Sequence, residues 1–300
     1  MSLIDYLRIH PSAFPLVSVL LGTIVGSFLN VVILRLPIML EWGWRRQCLA
    51  FFREVYPQAL VDVSENSRAT KEAPFNLLLP RSQCPNCAHT LSVWENIPIL
   101  SYLLLRGRCS ACRSPISPRY PFIELLSGVM AGIVAWQAGF GIPAVGALVL
   151  TWVLIALAFI DWDRQQLPDE ITLPTLWLGL AFNLFGVYAS IEDGIIGAML
   201  GYGVLWSVYW LFRLWTGKEG MGHGDFKLLG MVGAWLGWQS LPATILIASM
   251  MGALVGMGLI LLRGHDRNIP IPFGPYLAIA AWITLLWGEE MMEWYWGILA

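Results

Sequence analysis

The chain has 300 residues, of which 57% are hydrophobic and 13% charged, with a mean hydropathy of +0.64. Soluble domains carry about 45–50% apolar and about 25% charged residues, so this composition excludes an ordinary soluble enzyme, a secreted scaffold or a disordered binder, and it assigns the chain to a bilayer. The net charge of −2 hides an uneven sorting of basic residues between loops.

Phe14 to Leu36 is the first predicted span, because a helix needs about 20 apolar residues to cross the hydrocarbon core. The apolar run is long and has no small-residue cleavage site after it, so it reads as a retained helix rather than a removed signal peptide. Residues 1–36 therefore form an N-terminal stub and first transmembrane helix. Residues 37–121 change character: they hold ten of the 18 Lys and Arg and all five cysteines, as expected of an extramembrane domain. Residues 122–300 form a seven-helix membrane domain, with spans at Phe122 to Phe140, Ile142 to Ile160, Ile171 to Ala189, Gly194 to Trp215, Leu228 to Trp238, Leu241 to Leu262 and Phe273 to Gly288. Leu228 to Trp238 is short for a crossing. The expected fold is an all-α polytopic membrane protein with eight transmembrane helices and a small cytosolic zinc-ribbon-like domain between helices 1 and 2.

Eight crossings gather 17 of the 18 basic residues on one face and leave Arg8 opposite. Arg164, Lys218, Lys227, Arg263 and Arg267 then share a side with residues 37–121. Lys and Arg in short loops resist translocation, so that side is cytosolic and both termini are periplasmic. Gly252 and Gly256 have the G-x-x-x-G spacing that lets helix backbones approach closely, and they read as packing residues.

The informative charges sit at the ends of apolar helices. Asp161 follows a run without charge since Glu124, and Asp225 lies in Gly222-His223-Gly224-Asp225-Phe226-Lys227, ahead of another apolar helix. Both fall on the expected inner face. Two carboxylates at close range cannot both ionise cheaply, so a pair shares one proton near neutral pH. The ionised member can draw a proton from a water attacking a peptide carbonyl while its protonated partner donates to the carbonyl oxygen. Gly222 and Gly224 suit such a site, because residues without Cβ let a peptide approach Asp225 and let the turn take positive φ. The plain alternative makes the two ordinary helix-end carboxylates, with Asp225 as an N-cap. Asp163, Asp169 and Glu170 read as solvated, capping or paired with Arg164.

Gly222-His223-Gly224-Asp225 resembles the G-x-G-D signature of intramembrane aspartyl proteases, and its extension through Phe226-Lys227 resembles the prepilin peptidase branch. Asp161 with Leu167-Pro168-Asp169-Glu170-Ile171-Thr172-Leu173-Pro174 resembles that family's first catalytic segment, in which the Asp precedes the Pro by seven residues. Gly26-Ser27-Phe28-Leu29-Asn30-Val31-Val32, with Arg35 and Pro37, is similar to its first-helix signature. The resemblance implies catalysis by Asp161 and Asp225 on the basic leader of type IV prepilins and type II secretion pseudopilins, at the inner membrane face. It also implies N-methylation of the new N-terminus from S-adenosylmethionine. No glycine-rich strand-to-helix motif of the soluble dinucleotide type accompanies that second activity. Where long members of the family carry Gly-Lys-Cys, this chain has Gly107-Arg108-Cys109, so Gly107 and Arg108 are the candidate methyl-transfer positions. Arg keeps the charge of Lys but not its point-like geometry.

Cys84-Pro85-Asn86-Cys87 and Cys109-Ser110-Ala111-Cys112 have the paired C-x-x-C spacing of a four-thiolate zinc site. Four protein ligands leave no open position for water, so the expected zinc is structural and not hydrolytic. Cys48 stands apart. Arg106, Arg108, Arg113 and Arg119 are expected to meet anionic lipid head groups rather than nucleic acid. Apolar Ile97 to Leu105 is too short to cross and is expected to pack on the domain or dip into the interface. Glu124 reads as structural, paired with Arg119. Asn30 and Asn183 are expected to bond between helices. A small transporter or channel with structural helix-end aspartates is the functional alternative, disfavoured by the scarcity of ionisable groups inside the spans.

Overall fold

A computed structural model describes residues 11–55, 75–218, 220–263 and 272–299. Arg8, Arg68, Lys71 and Arg267, which enter the charge sorting, lie outside the described residues. The helices are α1 (Ala13–Val55), α2 (Leu100–Leu104), α3 (Arg119–Ala138), α4 (Ile142–Arg164), α5 (Asp169–Leu184), α6 (Ile191–Thr216), α7 (His223–Leu236), α8 (Leu241–Arg263) and α9 (Gly274–Leu299). Among the described residues there is no strand, only two isolated antiparallel bridges.

Each predicted span overlaps a helix. By length and apolarity, five stretches among the described residues can cross a membrane: Ala13–Val55, Arg119–Ala138, Ile142–Arg164, Ile191–Thr216 and Trp238–Leu259. α5 and α7, with 16 and 14 residues, are about 24 and about 21 Å long at 1.5 Å per residue, against about 30 Å of hydrocarbon.

Several helix ends differ from the predicted spans: α5 stops at Leu184, five residues before Ala189, α9 runs past Gly288 to Leu299, and two more differences have a local cause. α1 does not stop at Leu36 but continues through Pro37 to Val55. An interior proline removes one backbone hydrogen bond, and the following Met39, Leu40, Glu41, Arg45, Arg46 and Gln47 are strong helix formers that carry the helix on. α7 begins at His223, five residues before the predicted span, with Gly222 as its N-cap.

The chain divides into two compact units, Met1–Gly22 with Ser127–Ala300, and Thr23–Leu126. In the first, α7 lies at the centre of the packing. Phe226, Leu228, Leu229, Met231, Val232 and Trp235 are all fully buried, as an all-round apolar helix requires. On one flank its backbone meets α6 where neither helix has a side chain. A Cβ on Gly197 would strike the Gly233 carbonyl, and one on Gly201 would come 2.5 Å from the Leu229 carbonyl oxygen. On the other flank the Trp235 indole fills the notch at Gly179 and donates to the Thr175 carbonyl at 2.8 Å. Asn183 does bond between helices: its Nδ2 donates to the carbonyls of Ala234 and Trp235 at 2.9 Å each, satisfying buried carbonyls that the C-terminal end of α7 leaves without a partner in the helix.

In the second unit, Asn30 Nδ2 donates to the carbonyls of Gly26 and Tyr120 at 3.2 Å, again an interhelical tie. Buried Glu124 accepts the Ile99 backbone N–H at 2.7 Å and so secures the start of α2, the helix formed within the apolar 97–105 stretch. The cysteine segment consists of two matching knuckles. Ala88 donates to the Cys84 carbonyl at 2.9 Å and Arg113 to the Cys109 carbonyl at 3.0 Å, and both donors take left-handed φ, 56° and 61°. The bridges Gln83–Thr90 and Arg108–Pro115 flank them at the same offset.

Candidate active site

Asp161 stands in the last turn of α4, which Gln165 ends in the left-handed conformation by donating to the Asp161 carbonyl at 2.8 Å. Asp225 is the third residue of α7, where its carboxylate reaches back to accept the Gly222 N–H. It is therefore half of a capping box and not the N-cap itself. The two aspartates are each only 6% exposed, and they interact electrostatically with one another. The fold thus brings together two buried carboxylates 64 residues apart in sequence.

Two contacts tie the start of α7 to its neighbours. Gly224 packs on Leu167, in the loop after α4, where an added Cβ would come 2.8 Å from that of Leu167. Lys227 Nζ lies 2.7 Å from both carboxylate oxygens of Asp169, joining the second turn of α7 to the start of α5. Asp169 is thus paired with Lys227, a partner that sequence proximity to Arg164 did not indicate.

The turn does not use the positive φ for which its glycines allow. Gly222 sits at φ −78°, ψ 146°, and Gly224 is already helical. Absence of a side chain matters at Gly224 because of Leu167, not because of backbone strain. The His223 ring packs at a tilt against both Tyr209 and Phe226, with ring centroids 5.1 and 5.4 Å away.

Sequence reasoning missed Gly274, the first residue of α9, whose backbone N–H donates to Asp161 Oδ2 at 3.0 Å. The Gly-Pro pair at positions 274 and 275 signals a helix start, but nothing in it names a partner 113 residues away.

The sulfur atoms of Cys84, Cys87, Cys109 and Cys112 all lie within 4.8 Å of one another and form a group able to hold a metal ion. Cys84 and Cys112 are 3.8 Å apart, Cys87 and Cys109 3.9 Å. Ser114 Oγ, 3.1 Å from Cys112, pulls that thiol down to about 6. The Asn86 and Cys87 backbone N–H groups draw Cys84 down as well. Cys87 is pushed up to about 12 even though the His89 N–H draws it down, because desolvation and the neighbouring sulfurs oppose its charge. Four thiolates in this space call for a cation. Cys48 is exposed and apart. Gly107 takes φ +67° with Tyr102 2.9 Å from where its Cβ would be, so it makes the tight turn into the second knuckle.

Residues 20–138 match the family model described as the bacterial peptidase A24 N-terminal domain, and residues 148–257 match that of the type IV leader peptidase family. The chain belongs to the type IV leader peptidase family. Among its relatives is a prepilin leader peptidase/N-methyltransferase of Aeromonas hydrophila, 54% identical over 92% of this chain and 91% of that protein. Proteins of the same name from Stutzerimonas stutzeri and Neisseria gonorrhoeae are 52% identical over 98% of both chains and 46% identical over 93% and 92%. No solved structure gives a significant match. Asp161 and Asp225 both fall within the leader-peptidase match and the four clustered cysteines within the N-terminal one, whereas Gly274 lies beyond both.

Proposed function

We propose that this chain is a membrane aspartyl endopeptidase that removes the leader of type IV prepilins and type II secretion pseudopilins at the cytosolic membrane face and then N-methylates the exposed residue. One observation carries the cleavage reaction: two buried, electrostatically coupled carboxylates in a chain about half identical to prepilin leader peptidases.

Asp161 and Asp225 are the reacting pair. The ionised carboxylate takes a proton from water as the water oxygen bonds to the scissile carbonyl carbon, and the protonated partner donates to the carbonyl oxygen. Collapse of the resulting diol breaks the C–N bond as the ionised carboxylate takes a proton from a diol hydroxyl and its protonated partner gives a proton to the leaving nitrogen, so the pair again holds one proton. Gly222 and Gly224 shape the site, the first through its N–H to Asp225 and the second through its fit against Leu167. The substrate's apolar segment lies in the bilayer, so the reaction begins from a chain already aligned in two dimensions.

Zinc fits the cysteine cluster. Tetrahedral Zn–S bonds of about 2.3 Å separate sulfurs by about 3.8 Å, close to the 3.8 and 3.9 Å between the paired sulfurs here. Cys84, Cys87, Cys109 and Cys112 would hold the ion and tie the two knuckles together. Methyl transfer consumes S-adenosylmethionine, whose sulfonium carries the methyl group. Gly107 and Arg108 enter that half of the activity by forming the turn that sets the second knuckle.

The charge sorting supports eight crossings in the inner membrane, both termini periplasmic, with the cysteine domain and the aspartates cytosolic. Short α5 and α7 are accommodated by local thinning and by neighbours that cover their ends. The basic residues of the cysteine domain then face anionic lipid.

In membrane vesicles with a prepilin substrate, Asp161→Asn and Asp225→Asn each abolish leader removal while the protein stays folded. Cleavage at the wild-type rate by either variant refutes the proposal.

A further inference from the structure

Asp161 occupies an electrostatically poor position. The C-terminal end of a helix carries the negative pole of its dipole, and a buried carboxylate in the last turn of α4 is unfavourable unless something offsets it. The offset comes from a third helix. Gly274 starts α9, and its N–H, one of the donors that a helix start leaves unsatisfied, points at Asp161 Oδ2 from 3.0 Å. The approach is close enough to exclude a side chain: a Cβ at position 274 would lie 2.6 Å from Oδ2 and 3.0 Å from Cγ of Asp161. Asp225 has a matching arrangement, a glycine N–H from Gly222, but from its own helix. Asp161 instead depends on a segment outside both motifs.

The geometry points to Gly274 as a positioning residue that holds Asp161 for leader cleavage, an assignment that rests on the catalytic role proposed above for Asp161. By occupying Oδ2 it fixes the rotation of the carboxylate and leaves Oδ1 for the water and the partner acid. Gly274 touches no substrate and acts only through Asp161. The N-terminus of α9 is thereby the third structural element of the peptidase site, after the ends of α4 and α7.

The test uses Gly274→Ala in the full-length protein. Displacing the carboxylate by about 1 Å lowers kcat for prepilin cleavage about 100-fold, with KM within about twofold and methylation of an already cleaved pilin unchanged. Melting temperatures of Gly274→Ala, Asp161→Ala and the double variant give a second measurement. Asp161→Ala clears the two atoms that the new methyl strikes, so the destabilisation by Gly274→Ala is relieved in that background. Wild-type kcat in Gly274→Ala, or equal destabilisation in both backgrounds, overturns the assignment. Asp161→Asn serves as the control: if that variant cleaves normally, the catalytic proposal itself falls, whereas loss of cleavage there alongside wild-type kcat in Gly274→Ala refutes the positioning role alone.

Discussion

Gly179→Ala adds a single methyl group at the point where α5 receives α7, and its effect can be worked out from the notch it fills. The new carbon would stand 2.6 Å from Nε1 and 2.7 Å from Cγ of Trp235. Ordinary carbon contacts lie at about 3.5–4.0 Å, so the indole has to retreat by roughly 1 Å. That retreat stretches the 2.8 Å bond from Nε1 to the Thr175 carbonyl beyond hydrogen-bond range. Phe182 and Tyr188, with ring centroids 5.3 and 5.5 Å from the Trp235 ring, leave little lateral escape. Overpacking costs about 1–3 kcal/mol and an orphaned buried donor about 1–3 kcal/mol, for a loss of roughly 2–6 kcal/mol. Asp225 lies ten residues before Trp235 on the same helix, so a 1 Å shift of α7 moves it against Asp161 and lowers cleavage about 100-fold. Thermal melting of the purified protein and initial rates on prepilin in vesicles measure the two effects. Trp235→Ala removes all three colliding ring atoms, so adding Gly179→Ala in that background costs little further stability. Wild-type melting and wild-type cleavage in Gly179→Ala alone would refute the reasoning.

Cys84→Ser and Cys109→Ser each take zinc content from about one ion per chain to near zero and lower the melting temperature of the cysteine domain, without removing a cleavage group; a folded, zinc-free double variant of wild-type stability contradicts the metal assignment. Lys227→Glu and Asp169→Lys each slow cleavage, and the double swap restores it; because both side chains are partly exposed, at 32% and 47%, the stability change stays below about 1 kcal/mol, and failure of the swap to rescue removes the bridge from the site. Glu95, held down to about 2 by the Ser110 hydroxyl and by the Ser92 N–H at 2.7 Å, contributes stability that is present above the ordinary carboxylate value near 4.5 and lost as pH falls through about 2. Wild type is accordingly more stable than Glu95→Gln at neutral pH, and denaturation curves of the two converge between those values. A constant difference down to pH 2 excludes this carboxylate as the cause.

The membrane class, the helical segments and the two paired cysteine motifs were legible because each is a local property. An apolar run of bilayer length and a C-x-x-C spacing carry their physical meaning within a few residues. Asp161 and Asp225 could be singled out for the same reason, as isolated charges at the ends of apolar helices. The role of Gly224 was legible only in part: the sequence marks a residue without Cβ, but Leu167 as the reason for it comes from the packing. The end of α1 was not legible from composition, since residues after Leu36 turn basic yet carry the same helix through Pro37 to Val55.

The sequence by itself determined that this chain is a helical membrane protein with two acids and four thiols set apart from everything else. Tertiary structure alone decided which groups meet: Asp161 with Asp225 and Gly274, Lys227 with Asp169, and Trp235 with Gly179. Those contacts join positions 56 to 113 residues apart. Their formation depends on how short helices such as α7 are enclosed by others, and hydrophobic periodicity records only that a face is buried, not which residue covers it.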